Sequence, residues 1–290
     1  MDNLLDKNLD NIKSETNLFG EEIKKLSMKD RIGFLPISIW EPDWNIVKKL
    51  KKVVGDDGSS RELTDETKKN LSYKSNMGSN QSQVSIFNPH LAQMILSAYC
   101  PSNAKIYDPF AGGGTRGFIA TAMGHKYYGV ELRQEEVDRI NKQMIDLNEK
   151  FVIACGDAKD YPHKENFFDF SYTCPPYYNL EVYSKLATDL SAAKTYMDFL
   201  KMLKLCIQGV YKGLKKDSLS VWVVGNFRDK KGELIPFNSH LIMLAKKVGF
   251  KLHDELVFWG ASKCASQRSG QFVANRKSVR VHEYIIILKK

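Results

Sequence analysis

The chain has 290 residues, 43% of them hydrophobic, enough for one large domain or a domain with an appended segment. No apolar run approaches the roughly 18 residues that cross a bilayer, and the opening MDNLLDKNLDN is polar and acidic, unlike a secretory leader; together these predict a cytoplasmic protein with no membrane partner. Lys and Arg (43) exceed Asp and Glu (34) for a formal charge of +9, a surplus that suits a polyanion but also an ordinary solubilising surface.

Residues 1–80 read as an N-terminal extension and 81–290 as the main domain. The stretch IGFLPISIWEPDWNIVKKLKKVV holds Ile37, Ile39, Trp40 and Trp44, too apolar for a disordered tail, so the extension is expected to pack on something. GDDGSSRE at 55–62 reads as a turn and SYKSNMGSNQSQ at 72–83 as a mobile link. Short apolar strands then alternate with helices. Strands are expected at 105–110, 126–132, 151–157, 167–174, 219–226, 251–259 and 281–290, and helices after the first strand, after the second, over 193–213 and near 237–248. This alternation specifies an α/β fold with a doubly wound, mostly parallel sheet. The last two strands lack a helix between them and should form an antiparallel hairpin at one end.

The five cysteines (Cys100, Cys155, Cys174, Cys206, Cys264) are an odd number without a C-x-x-C pair, which argues against a disulfide framework and a zinc site; no metal is expected. DPFAGGGTRG connects the first strand to the first helix. Gly112, Gly114 and Gly117 fit G-x-G-x-x-G, and Glu131 ends the next strand, where a carboxylate accepts from ribose hydroxyls. A nicotinamide enzyme satisfies the same pattern. Asp108 before the glycines and Asp157 after the third strand shift the balance towards a cationic, adenosine-containing ligand, because a pyrophosphate beside Asp108 would be repelled. S-adenosylmethionine carries both an ammonium and a sulfonium.

TCPPYYNLEVYS follows the fourth strand. Proline has no amide hydrogen for a sheet ladder, so this segment must leave the sheet as a rigid aromatic loop. With YDPFAGGGTRG before it, CPPY resembles the catalytic loop of amino-methylating DNA methyltransferases; IFNPHLAQMI, GVELR, VVGNFRDKKG and RVHEYIIILKK extend the resemblance to small phage or prophage DNA methylases over residues 84–290, and GFLPISIWEPDW extends it more weakly to about residue 34.

The resemblance implies a Rossmann-like class I methyltransferase fold and methyl transfer from S-adenosylmethionine to adenine N6 or cytosine N4 of a base flipped out of double-stranded DNA. It assigns cofactor binding to Phe87, Asp108, Pro109, Phe110, Ala111, Gly112, Gly114, Thr115, Glu131 and Asp157. It assigns catalysis to Cys174, Pro175, Pro176 and Tyr177: the first motif residue and the first proline's carbonyl accept the amino hydrogens, and the aromatic ring stacks on the base. Phe87 has a plain core role as its alternative. The family has Asp, Asn or Ser where this chain has Cys174, a weak acceptor. That leaves three readings: the Pro175 carbonyl does most of the accepting, the thiol attacks a cytosine ring and directs methylation to carbon, or the protein binds DNA without catalysis.

Three weaker signals complete the reading. The acid-free run SKCASQRSGQFVANRKSVRVH places Lys263, Arg268, Arg276, Lys277 and Arg280 where they suit phosphate contacts, with Phe272 as a wedge between bases or a core residue. Asn226, Arg228 and Asp229 are candidates for the base pocket or for shaping a hairpin. His90 reads as a surface residue at a helix start.

Overall fold

The computed structural model describes residues 37–54, 87–178, 184, 186, 188–229, 231–260 and 270–290. The expected turn at 55–62, the link at 72–83, and Lys263, Cys264 and Arg268 lie outside the described residues.

In chain order the elements are β1 (Ile39–Trp40), α1 (Trp44–Val53), α2 (Pro89–Tyr99), β2 (Lys105–Asp108), α3 (Thr115–Ala122), β3 (Lys126–Glu131), α4 (Gln134–Asp146), β4 (Val152–Cys155), β5 (Phe168–Thr173), α5 (Tyr196–Gly213), β6 (Leu214–Val224), β7 (Phe227–Arg228), β8 (Leu234–Ile235), α6 (Phe237–Val248), β9 (Lys251–Trp259), α7 (Gly270–Asn275) and β10 (His282–Lys289). Eight strands form one sheet in the order β1-β9-β10-β6-β5-β2-β3-β4, and β7 and β8 form a small separate ribbon. Within the large sheet β10 is antiparallel to both neighbours, and the other pairings are parallel. The expected antiparallel pairing of the last two strands is therefore present, but the connection expected to lack a helix carries the short α7. The outer edge of this pair is extended by β1, which pairs with β9 through Ile39 opposite Val257 and Trp40 opposite Phe258.

Alternation along each strand divides the core into two layers. On β6, Val221 and Val223 face one layer with Ile285 and Ile287 of β10, while Trp222 and Val224 face the other with Ile286 and Leu288. The first layer is covered by α1, α2, α3 and α4 through residues such as Leu50, Leu91, Ile95, Ile119 and Ile140. The second is covered by α5 and α6 through Phe199, Leu203, Val210, Phe237 and Leu241. Sheet burial on both faces is why these strands read as continuous apolar runs.

The segment before residue 55 joins this core at selected points. Trp40 and Leu50 are buried, whereas Ile37, Ile39 and Trp44, also expected to pack, remain half exposed. His90 is not the surface residue its helix-start position suggested: it is buried, and its Nδ1 accepts a 2.9 Å hydrogen bond from the Asp43 amide. Burial lowers its pKa below 6.5 despite the nearby Asp43 carboxylate. A neutral imidazole is what that acceptor geometry demands.

Candidate active site

The glycine loop gets its shape from backbone constraints. Gly112 and Gly114 both have positive φ, at 52° and 76°, and Gly114 caps α3. The Ala111 amide donates to the Val130 carbonyl at 2.8 Å, tying the loop to the end of β3. Gly117 serves packing: a Cβ there would meet the Phe151 ring at 2.8 Å, so α3 approaches the sheet through the absence of a side chain.

At the end of β2, Asp108 is fully buried and does not line the cavity. Its Oδ1 accepts from the Phe110 amide at 3.0 Å and the Thr173 hydroxyl at 2.6 Å, and its Oδ2 from Arg116 Nε at 2.7 Å and the Tyr127 hydroxyl at 2.6 Å. The carboxylate expected to meet a cofactor is spent on holding four elements of the protein together. Its partner Arg116 is also buried. Burial draws that guanidinium down and the Asp108 carboxylate more than reverses the effect, so it stays firmly charged. The Arg116 guanidinium lies 4.9 Å from the centre of the Phe87 ring, which in turn meets Tyr172 edge-on at 5.7 Å.

One cavity of about 450 Å³, within the range of roughly 300–1,000 Å³ common for small-molecule sites, runs along the carboxyl ends of the strands. Phe87, Pro109, Phe110, Ala111, Gly112, Thr115, Glu131, Asp157, Cys174, Pro175, Pro176 and Tyr177 all contribute to it. Thus the glycine loop and the CPPY loop open onto the same space. Among the expected cofactor residues Asp108 and Gly114 stand outside the lining; Gly114 instead packs against Phe118 and Ile140.

Glu131 accepts at Oε1 from the Arg133 amide at 3.0 Å and lies 3.3 Å from Arg133 Nε, which leaves Oε2 for a hydroxyl pair. Burial raises its pKa, and Arg133 works against that rise. Asp157 accepts at Oδ1 from the Lys159 amide at 2.9 Å and at Oδ2 from its ammonium at 2.6 Å. Each carboxylate oxygen retains a second lone pair. Tyr177 is fixed through its hydroxyl, which accepts from the Gly225 amide at 2.7 Å, and its ring packs edge-on against Phe227 and Phe237, each at 6.0 Å.

Several lining residues were not singled out by motif reading: Asn88, Arg116, Asp189 and Glu283. Arg116 stands inside the DPFAGGGTRG string, so a signal for it was there. Asp189 and Glu283 carry none, because they reach the cavity from distant loops and strands. Asn226 accepts from the Asn238 amide at 3.0 Å, and Asp229 accepts from the Lys231 and Glu233 amides at 2.9 and 2.8 Å, so both shape the β7–β8 region. Lys277 reaches the same ribbon, donating to the Gly232 carbonyl at 3.0 Å. Arg276, at φ 54°, is exposed beside Phe272, and Arg280 is partly buried. No helix of the described residues is long and apolar enough to cross a membrane, and no group of three or more metal-ligating side chains occurs among them.

Residues 10–142 match the family model described as DNA methylase. The type II methyltransferase M.HinfI of Haemophilus influenzae is 39% identical over 57 residues, 20% of this chain and 16% of that protein. The match thus spans about a sixth of that relative's length. Among solved structures, the [4+2]-cyclase SpnF aligns over 70% of this chain and 81% of its own, with 13% identity and a TM-score of 0.50. A SAM-dependent methyltransferase from Methanosarcina mazei aligns over 68% and 96%, with 15% identity and a TM-score of 0.48. The fold class read from the strand and helix pattern is borne out, and so is the resemblance to DNA methylases. The donor set, with a glycine cradle, a carboxylate at the end of β3 and an acid at the third strand end, fits S-adenosylmethionine, which the family match also supports as the cofactor.

Proposed function

We propose that this chain transfers a methyl group from S-adenosylmethionine to an exocyclic amino nitrogen of a base turned out of double-stranded DNA, adenine N6 in first place and cytosine N4 in second. The observation that carries the reading is the shared cavity: the glycine loop, Glu131 and Asp157 line one part of it and Cys174 to Tyr177 another. Bound there, the cofactor supplies an electrophilic methyl on sulfur.

The residues of the chain do the rest by position. Gly112 and the neighbouring loop backbone approach the ligand, Glu131 Oε2 accepts from its ribose, and Asp157 from its adenine amino group. An aromatic amino group is a poor nucleophile because its lone pair is delocalised into the ring. The Pro175 carbonyl, held in direction by the buried proline and its neighbour Pro176, accepts one amino hydrogen and lets the nitrogen become pyramidal. Cys174 stands beside it as a weaker acceptor. Tyr177, braced by Gly225, Phe227 and Phe237, offers a ring face to the base. Arg276, Lys277 and Arg280, with Lys263 and Arg268, contact the phosphates.

Nucleoside mass analysis of DNA from cells expressing the protein tests this. N6-methyladenine or N4-methylcytosine is the expected product. 5-Methylcytosine would instead assign Cys174 a covalent role, and no methylated nucleoside would refute the reading.

A further inference from the structure

Four carboxylates line the cavity, and they differ in what already occupies them. Glu131 is paired with Arg133 and Asp157 with Lys159. Asp189 accepts from the amides and hydroxyls of Ser184 and Ser191 at 2.6 to 2.9 Å. Glu283 accepts no hydrogen bond and forms no ion pair among the described residues. Burial alone raises its pKa, as expected for an unpaired carboxyl away from bulk water.

Its place in the fold is specific. Glu283 follows His282 at the start of β10, opposite Phe258 of β9. Because β10 runs against the other strands, its first residues reach the rim where the parallel strands end. Alternation puts Glu283 on the same sheet face as Ile285 and Ile287, the layer that also contains Phe87, Tyr172 and Arg116's neighbours on α3. Burial raises the pKa of Tyr172, Arg116 opposes that rise, and Cys174, Asp108 and Glu283 add to it. Arg116 spends Nε on Asp108 and Nη2 on the Phe110 carbonyl, which leaves Nη1 for a ligand. Arg116 and Glu283 thus line one cavity together with Phe87, the cationic group lying against that ring.

We propose that Glu283 and Arg116 form a clamp for a zwitterionic α-amino acid, Glu283 taking the ammonium and Arg116 Nη1 the carboxylate of the methyl donor's amino-acid part. The proposal rests on the methyltransferase reading and adds to it the ammonium acceptor that Asp108, closed off by four protein donors, cannot be.

The test is calorimetric titration of the full chain and its Glu283→Gln variant with three ligands: S-adenosylhomocysteine, its deaminated analogue, and 5′-methylthioadenosine, which lacks the amino-acid part. Glu283→Gln is expected to weaken S-adenosylhomocysteine binding by roughly ten- to a hundredfold, the loss of one charge-assisted hydrogen bond, while methylthioadenosine binding changes less than about twofold. The deaminated analogue should bind both proteins alike. Equal weakening of all three ligands, or of none, overturns the clamp. So does a variant that keeps S-adenosylhomocysteine affinity but loses methyl transfer, which would move Glu283 to the target base. If the variant does not fold, the wild type still decides: removal of the ligand's amino group must weaken binding by at least about tenfold, and equal affinities refute the proposal. A wild type that binds none of the three refutes the cofactor reading instead.

Discussion

The Tyr177 hydroxyl accepts a 2.7 Å hydrogen bond from the Gly225 amide, so the aromatic residue of the CPPY loop is pinned to the end of β6. The ring is oriented before any base arrives, and the entropy of holding it is not charged to binding. Tyr177→Ala is expected to lower methyl transfer to DNA by roughly 5- to 150-fold, the worth of one base–aromatic stack, while cofactor affinity measured by calorimetry stays the same. Tyr177→Phe keeps the stack and loses the anchor, so its deficit should stay under about tenfold. Equal deficits in the two variants would mean that the hydroxyl, not the ring face, matters.

Asp108 makes a different kind of prediction. Replacing it with Asn removes the counter-charge of buried Arg116, a change that costs about 3–5 kcal/mol in comparable buried pairs. Asp108→Asn should therefore lower the melting temperature of the ligand-free protein by many degrees. A variant of normal stability with selectively lost cofactor affinity would return Asp108 to the ligand-contact role that the motif suggested.

His90 links stability to pH. Burial lowers the pKa of His90 and likewise of His125, each below 6.5. Their folded-state pKa values lie under the unfolded value, so the stability they support is fully present above about pH 6.5 and is lost as pH falls through the window beneath it. Thermal melts from neutral to mildly acidic pH should show this decline. His90→Asn, which keeps an acceptor for the Asp43 amide but cannot take a proton, should flatten it; unchanged slopes would count against His90 as a contributor.

The basic segment is checked by salt. Arg276→Ala and Arg280→Ala should each weaken DNA binding with little regard to sequence and reduce the slope of log affinity against log salt by about 0.9 per lost phosphate contact. Lys277→Ala should do the same and also loosen the β7–β8 ribbon, since its ammonium is tied to Gly232. An unchanged slope in all three variants would place the duplex elsewhere.

These cases show which parts of the site a sequence can display. The strands were legible because burial on both sheet faces leaves an unbroken apolar run, and the two loops because glycine and proline impose backbone geometry locally. The role of Asp108 was not, because it is decided by Arg116, Tyr127 and Thr173, donors from three other elements that only folding brings to one carboxylate. Glu283 was hidden for the same reason: in VHEYIIILKK it looks like one polar residue at the start of an apolar strand. Trp40 and His90 show the limit from the other side, since their burial depends on how the segment before residue 55 lies on α2 and β9.

The reversed direction of β10 has a consequence for synthesis as well as for shape. Phe87 leaves the ribosome well before Glu283, yet both belong to the wall of one cavity. A nascent chain can assemble β2, β3 and the glycine loop while still tethered, but the central gap between β6 and β9 stays unfilled until β10 has emerged. Ligand capture by this protein thus waits on a strand synthesised long after the glycine loop.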